Sequence, residues 1–309
     1  MKKNILITGV AGNVGSALAN YLLQQGYKVT GLDNLSTGDV NKLPKHSDFS
    51  FVKLDVNDLQ ALSQVMLSKS YDFVFHYAAV VGVQRTLDNP INVLNDIQGI
   101  KNILELSKNT GVKKVAFSSS SEVYGEPVSL PQIEDVTPLN SKLPYAVVKN
   151  VGEAYFRSYF QEYGLSYVIF RFFNTYGPHQ SEDFVIPKLL AQAVNHQDIT
   201  IYGDGQQTRT FCYIDDNIEA SCRIFFDDQY ANDVYNIGSD TIYTVKELAE
   251  TILSITNSNS KIVHLPALKE GDMTRRQPDI SKMKAVLDRS LVPLNEGIEK
   301  LLAHYKHQQ

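Results

Sequence analysis

Tyr145 and Lys149 stand four residues apart, so on a helix they share one face. A free phenol has a pKa of about 10 and is a poor base at neutral pH. A neighbouring ammonium favours the phenolate, and such a pair can work as a general base. The spacing alone is common on helices. Upstream runs Ser118-Ser119-Ser120-Ser121-Glu122-Val123-Tyr124-Gly125. It follows an expected strand, at the edge where open α/β sheets bind their ligands. Taken singly, the serine run reads as an ordinary polar loop. Beside a second motif near the N-terminus it carries more weight.

That motif is Gly9-Val10-Ala11-Gly12-Asn13-Val14-Gly15, between an expected strand and an expected helix. A pyrophosphate must reach backbone N–H groups at a helix N-terminus, and a Cβ would block it. Asp33 ends the next expected strand, roughly 20 residues on, where a carboxylate accepts bonds from the adenosine ribose hydroxyls. It would repel a 2′-phosphate, so the pattern favours NAD over NADP. Asp55 and Val56, after the third strand, are candidates to hold the adenine.

These residues need a scaffold, and the first half supplies one by alternating strand and helix. Apolar runs at Asn4 to Thr8, Lys28 to Leu32, Phe49 to Leu54, Phe73 to Phe75, Val115 to Phe117 and Val168 to Phe170 read as strands. Helical spacing appears at Val14 to Leu23, Leu59 to Leu67, Val93 to Leu106 and Tyr145 to Tyr163. Pro144 and Gly164 bracket the last of these. Such alternation predicts a Rossmann-type parallel sheet with helices on both faces. After Asn174-Thr175-Tyr176-Gly177-Pro178 the elements shorten and mix. The expected division is residues 1–173 for the dinucleotide and 174–309 for a smaller mixed substrate domain. A segment near 211–238 would return to the main sheet.

The bulk numbers narrow the class. With 309 residues, 43% hydrophobic and 20% charged, the chain reads as globular. A net charge of −5 argues against nucleic acid or an anionic membrane as partner. Cys212 and Cys222 are the two cysteines, with no metal-ligand spacing, so no metal is expected. The opening apolar run is too short for a signal-peptide core, and no stretch is long enough to span a bilayer. The cytoplasm is the default compartment. The helices from Val93 and Tyr145 carry apolar residues on more than one face, which suits a homodimer.

The chain resembles the extended short-chain dehydrogenase/reductase family, in particular its nucleotide-sugar epimerases, dehydratases and decarboxylases. The likeness rests on Thr8-Gly9-x-x-Gly12-x-x-Gly15, His76-Tyr77-Ala78-Ala79, the Ser-Glu-Val-Tyr-Gly run, Tyr145-x-x-x-Lys149 and Arg171-x-x-Asn174-x-Tyr176-Gly177-Pro178. It extends through Gly203-Asp204-Gly205-x-x-Thr208-Arg209-x-Phe211 to Arg275-Arg276-x-Pro278-Asp279. The resemblance implies that Asn174, Arg209 and Arg276 hold a nucleotide diphosphate-sugar, with Ser120 on the reacting oxygen. Arginine forks suit phosphate. It adds Asn34, Tyr77, Ala78, Ala79 and Ser118 to the cofactor set, with Tyr145 and Lys149 touching both ligands. Two departures stand out: Asp96 and Ile100 replace the usual Asn and Thr, and Gly12-Asn13-Val14-Gly15 replaces the usual Gly-Phe-Ile-Gly.

The resemblance also implies a common opening step, in which Tyr145 takes the sugar 4-hydroxyl proton while C4 gives hydride to NAD. Ser120, Tyr145, Lys149 and Glu122 are the candidate catalytic groups. A 4,6-dehydratase needs a second acid, and Ser121 stands where related dehydratases carry Asp. Ser121, Glu122 and Arg276 resemble the set in uronate decarboxylases. Val80-Val81-Gly82-Val83-Gln84-Arg85 is more like epimerases. The expectation is a UDP-sugar 4-epimerase. The alternatives are a UDP-glucuronate decarboxylase, then a 4,6-dehydratase or a 4-dehydrogenase. A dinucleotide sensor without catalysis is the reading from another class.

Overall fold

A computed structural model describes residues 2–267 and 275–308. In chain order the first half places β1 (Asn4–Thr8), α1 (Asn13–Gln24), β2 (Lys28–Asp33), β3 (Phe49–Lys53), α2 (Leu59–Ser68) and β4 (Phe73–His76). Then follow α3 (Val83–Asp88), α4 (Pro90–Thr110), β5 (Lys114–Ser120), α5 (Pro144–Tyr163) and β6 (Ser166–Phe172). The second half adds β7 (Thr175–Tyr176), α6 (Val185–Val194), β8 (Ile199–Tyr202), β9 (Thr208–Thr210), β10 (Cys212–Tyr213), α7 (Ile214–Phe226) and β11 (Asp233–Ile237). It closes with β12 (Ile242–Thr244), α8 (Val245–Thr256), β13 (Ile262–Leu265), α9 (Ser281–Leu287) and α10 (Leu294–Gln308).

The main sheet runs β11-β6-β5-β4-β1-β2-β3 and is parallel throughout. Parallel strands need crossovers, which put helices on both faces. Ile5 and Ile7 therefore point into one core and Leu6 into the other. The first core takes α1 and α7, the second α2, α4 and α5. Strand order reverses between β1 and β4, and such a switch point opens a crevice at the strands' C-terminal ends.

Local chemistry sets the ends of the helices that matter here. Pro90 and Pro144 begin α4 and α5, where a missing N–H costs nothing. Gly111 and Gly164 end them in the left-handed conformation.

Three details differ from the expectation. β5 does not stop at Phe117: Ser118, Ser119 and Ser120 continue it, pairing with Phe170, Arg171 and Phe172 of β6. The serine run is thus the buried end of a central strand, followed by one 3-10 turn over Ser121–Tyr124. A short helix, α3, fills what read as loop, and α4 begins at Pro90 rather than Val93. In the second half small two-stranded pairs form, β10 with β7, β12 with β9 and β13 with β8. β11 joins the main sheet beside β6.

Candidate active site

The crevice between β1 and β4 opens into a cavity of about 450 Å³, within the usual size of a small-molecule cleft. Its floor is the glycine loop. Gly9 has φ +73°, and a Cβ there would lie 2.8 Å from Ala78 N. A Cβ on Gly15 would run into the Gly9 carbonyl oxygen. Gly12 caps α1 without any side-chain bond to the free N–H groups, so these donors are left for a ligand. Asp33 closes the cradle: its carboxylate accepts from Ala11 N at 2.9 Å and from Leu35 N at 2.8 Å. This bare, donor-lined loop fits a dinucleotide pyrophosphate, with Asp33 at its ribose end.

The expected cofactor residues line this one cavity: Gly9, Gly12, Asn13, Val14, Gly15, Asp33, Asn34, Asp55 and Val56, then Tyr77, Ala78, Ala79 and Ser118. Asn34 donates to Asp55 at 3.0 Å, tying the second and third strand ends. Thr8 and His76 clamp the switch point. The Thr8 hydroxyl accepts from Tyr77 N and Ala78 N, so it donates to His76 Nδ1 at 2.9 Å. His76 is therefore neutral with its proton on Nε2. Burial, with the Lys149 charge adding to it, holds its pKa down at about 3.

Tyr145 and Lys149 enter from the first turns of α5 and line the same cavity with Ser120 and Glu122. Lys149 Nζ lies 3.5 Å from Ser118 Oγ, 4.9 Å from the centre of the Phe117 ring and 5.6 Å from that of Tyr145. Gly152 makes this approach possible, since a Cβ there would strike the Phe117 ring. Burial lowers the Lys149 pKa to about 8, opposed by the charge of Asp96. It leaves the ammonium the majority form at neutral pH. Burial raises the Tyr145 pKa, hydrogen bonding from Ser120 opposes this, and Glu122 and Asp96 reinforce it. Deprotonation of Tyr145 thus depends on positive charge nearby.

Beneath the pair, α5 is stitched to the sheet. Glu153, one further turn along the same face, takes both forks of the buried Arg171 at 2.9 and 2.7 Å and the Ser119 hydroxyl at 2.6 Å. Arg171 also donates to Tyr124 Oη, which donates to Asn236. A buried bidentate pair with its remaining donors satisfied holds a fixed geometry.

The opposite wall comes from distant segments. Arg276 donates to Glu122 at 2.7 Å and to the Ser121 hydroxyl at 3.3 Å. Asn174, in a left-handed conformation with φ 38°, donates to Thr210 O and faces the cavity. Arg209 is the exception among the expected residues. It sits on β9, off the cavity wall, with its guanidinium on Thr208 O at 2.8 Å. The side chains of Val83 and Gln84, in the loop that favoured an epimerase, lie outside the described residues, as do residues 268–274.

A model of the NAD dependent epimerase/dehydratase family matches residues 5–238. The chain belongs to this family. It is 36% identical to the UDP-N-acetyl-alpha-D-glucosaminuronate decarboxylase of Bacillus cytotoxicus over 298 residues, 92% of this chain and 91% of that one. It superimposes on the UDP-glucose 4-epimerase of Thermotoga maritima with UDP-glucose at a TM-score of 0.93 and 31% identity, over 99% of both chains. The Thermus thermophilus UDP-glucose 4-epimerase complex with NAD gives 0.91 and 29%, over 98% of this chain and 99% of that one. The chain is an NAD-dependent enzyme, and NAD is its cofactor.

Within this epimerase/dehydratase scaffold, the cavity also shows residues that the motifs did not reveal. Asp96, Arg85, Asp183, His179 and Lys42 all line it. Arg85 donates to Asp183 at 3.0 Å, and Ser16 on α1 bonds His179 at 3.1 Å. A charged residue in an unpatterned loop gives no periodic signal, so spacing does not find these. Asp96 left one, as a carboxylate where the family usually carries an amide, and Arg85 another, in the run that resembles epimerases.

Proposed function

We propose that the chain is a UDP-sugar 4-epimerase working through a transient 4-keto sugar. One observation carries this. Glu122 is held by Arg276 at 2.7 Å and Ser121 carries only a hydroxyl, while Tyr145 faces the cavity. A 4-epimerase needs one proton-transfer group, whereas a dehydratase needs a second acid.

In this mechanism Ser120 hydrogen-bonds the sugar 4-oxygen. The Tyr145 phenolate, steadied by the Lys149 ammonium, accepts the 4-hydroxyl proton and becomes the phenol. Bound NAD supplies the hydride acceptor for C4. Once the ketone has turned over, Tyr145 would give its proton back to the 4-oxygen as the other face of C4 regains the hydride, so no net redox change would remain. Gly9, Gly12, Asn13, Val14, Gly15 and Asp33 would hold the cofactor. Asn174 and Arg276 would hold the diphosphate-sugar. Residues 1–173 would serve the cofactor and 174–309 the sugar, with β11 as the returning strand.

A second reading, a UDP-uronate decarboxylase, is favoured by the Ser121–Glu122–Arg276 cluster itself and by the Bacillus cytotoxicus relative. Incubation with UDP-glucose, UDP-N-acetylglucosamine and UDP-glucuronate, followed by NMR, separates the two. The expected product is a 4-epimer with no net NADH. Carbon dioxide with a pentose product would establish the decarboxylase instead.

No helix among the described residues is long and apolar enough to cross a membrane. The cytoplasm is the proposed compartment, to be checked by fractionation. We also propose a homodimer through α4 and α5, which leave Ile91, Leu94, Val147, Phe160 and Tyr163 exposed. A monomer mass by light scattering at micromolar concentration would refute it.

A further inference from the structure

The charge on Lys149 is buried, with only 2% of the residue exposed, yet its direct contacts are neutral: the Ser118 hydroxyl and the faces of Phe117 and Tyr145. A buried ammonium surrounded by hydroxyl and ring faces needs a compensating negative charge. The candidate is Asp96. It projects from α4, the helix packed beside α5, into the same cavity as Tyr145 and Lys149. One of its oxygens already works, accepting Val80 N at 2.8 Å. Val80, Val81 and Gly82 begin the loop after β4 that lines this cavity. One carboxylate therefore touches that loop and acts on the proton-transfer pair.

We propose that Asp96 is a positioning residue for the Tyr145–Lys149 pair: its negative charge sets the charge of that pair, and its hydrogen bond to Val80 sets the loop. This rests on Tyr145 acting as the base. With Lys149 charged, Asp96 brings the local sum to zero. The site then accepts the cationic oxidised nicotinamide ring more readily than a net positive site would. An enzyme that must give its hydride back benefits, because the oxidised cofactor is the resting state.

Other titratable groups face these. Asp55 acts on Asp96 from beyond the end of β3, neutral His76 faces Lys149 from β4, and Glu122 and Arg276 act on Tyr145. Burial raises the Asp96 pKa, while Val80 N–H and Lys149 hold it down. Burial lowers that of Lys149 and Asp96 opposes it. Removing the carboxylate charge should therefore lower the pKa of both Lys149 and Tyr145.

Asp96→Asn tests the charge alone, because the amide oxygen still accepts from Val80. Asp96→Leu removes charge and tether together. In Asp96→Asn the acid limb of the kcat/KM profile should move to lower pH by roughly half a unit to one unit. The ratio of NAD to NADH affinity, measured by titration without sugar, should fall about three- to tenfold. Asp96→Leu should show both effects and a higher KM for the nucleotide sugar. An Asp96→Asn enzyme with the parent's profile and affinity ratio would overturn the proposal, as would equal loss of both cofactor affinities. The affinity ratio needs no turnover, so it stands or falls separately from the epimerase assignment.

Discussion

The proposed cofactor cradle and the proposed sugar wall line one cavity and are built by opposite means. The cradle is backbone. Its glycine loop is fixed through Gly9 N on Leu32 O and Ala11 N on the Asp33 carboxylate, with the backbone of Tyr77 and Ala78 close against Gly9. The sugar wall is side chains brought from far apart in the chain, such as Glu122 with Arg276 and Arg85 with Asp183. A cradle shaped by missing Cβ atoms accepts one ligand geometry. A wall of ion pairs can exchange its partners for groups on a substrate. In the proposed function, recognition of the dinucleotide is a matter of shape, and choice of sugar a matter of which charges are released.

Four substitutions sharpen or break this contrast. Tyr145→Phe should lower turnover by about a thousandfold and leave NAD affinity intact, read by steady-state kinetics beside cofactor titration. Comparable loss of both would mean the two regions are not separable. Gly15→Ala drives a methyl against the Gly9 carbonyl. At an overpacking cost of about 1–3 kcal/mol, NAD affinity should drop roughly ten- to a hundredfold in a calorimetric titration. Arg276→Gln should raise KM for the nucleotide sugar by about tenfold with NAD affinity unchanged; a changed NAD affinity would show that the wall also shapes the cradle. Arg85→Gln removes an exposed pair, with side chains 38% and 50% accessible. Its effect on unfolding free energy should stay within about 1 kcal/mol, read by chemical denaturation.

The same contrast explains what could be read in the sequence. β1 lies at Asn4–Thr8 as its apolar run indicates, and the glycine loop and Asp33 lie where their spacing puts them. These features are local, and local rules carry them. The serines were harder. Ser118 to Ser120 have the composition of a loop, but β6 supplies ladder partners for all three and overrides that preference. α3 is too short to set up a helical period. Arg209 shares its motif with wall residues but points its guanidinium at the backbone of its own strand. The Glu122–Arg276 pair joins residues 154 positions apart; the resemblance groups them, and the folded chain shows that they touch.

Gly152 has a consequence beyond its helix. The edge of Phe117 occupies the space a methyl would take, so one absent carbon gauges the height of α5 above the sheet. Tyr145 and Lys149 ride on that helix, and α3, which follows the loop after β4, packs against it too. That clearance therefore bears on the proton-transfer pair and on the loop after β4 together, as the Asp96 bond to Val80 does from α4. A single fixed clearance keeps the two in register.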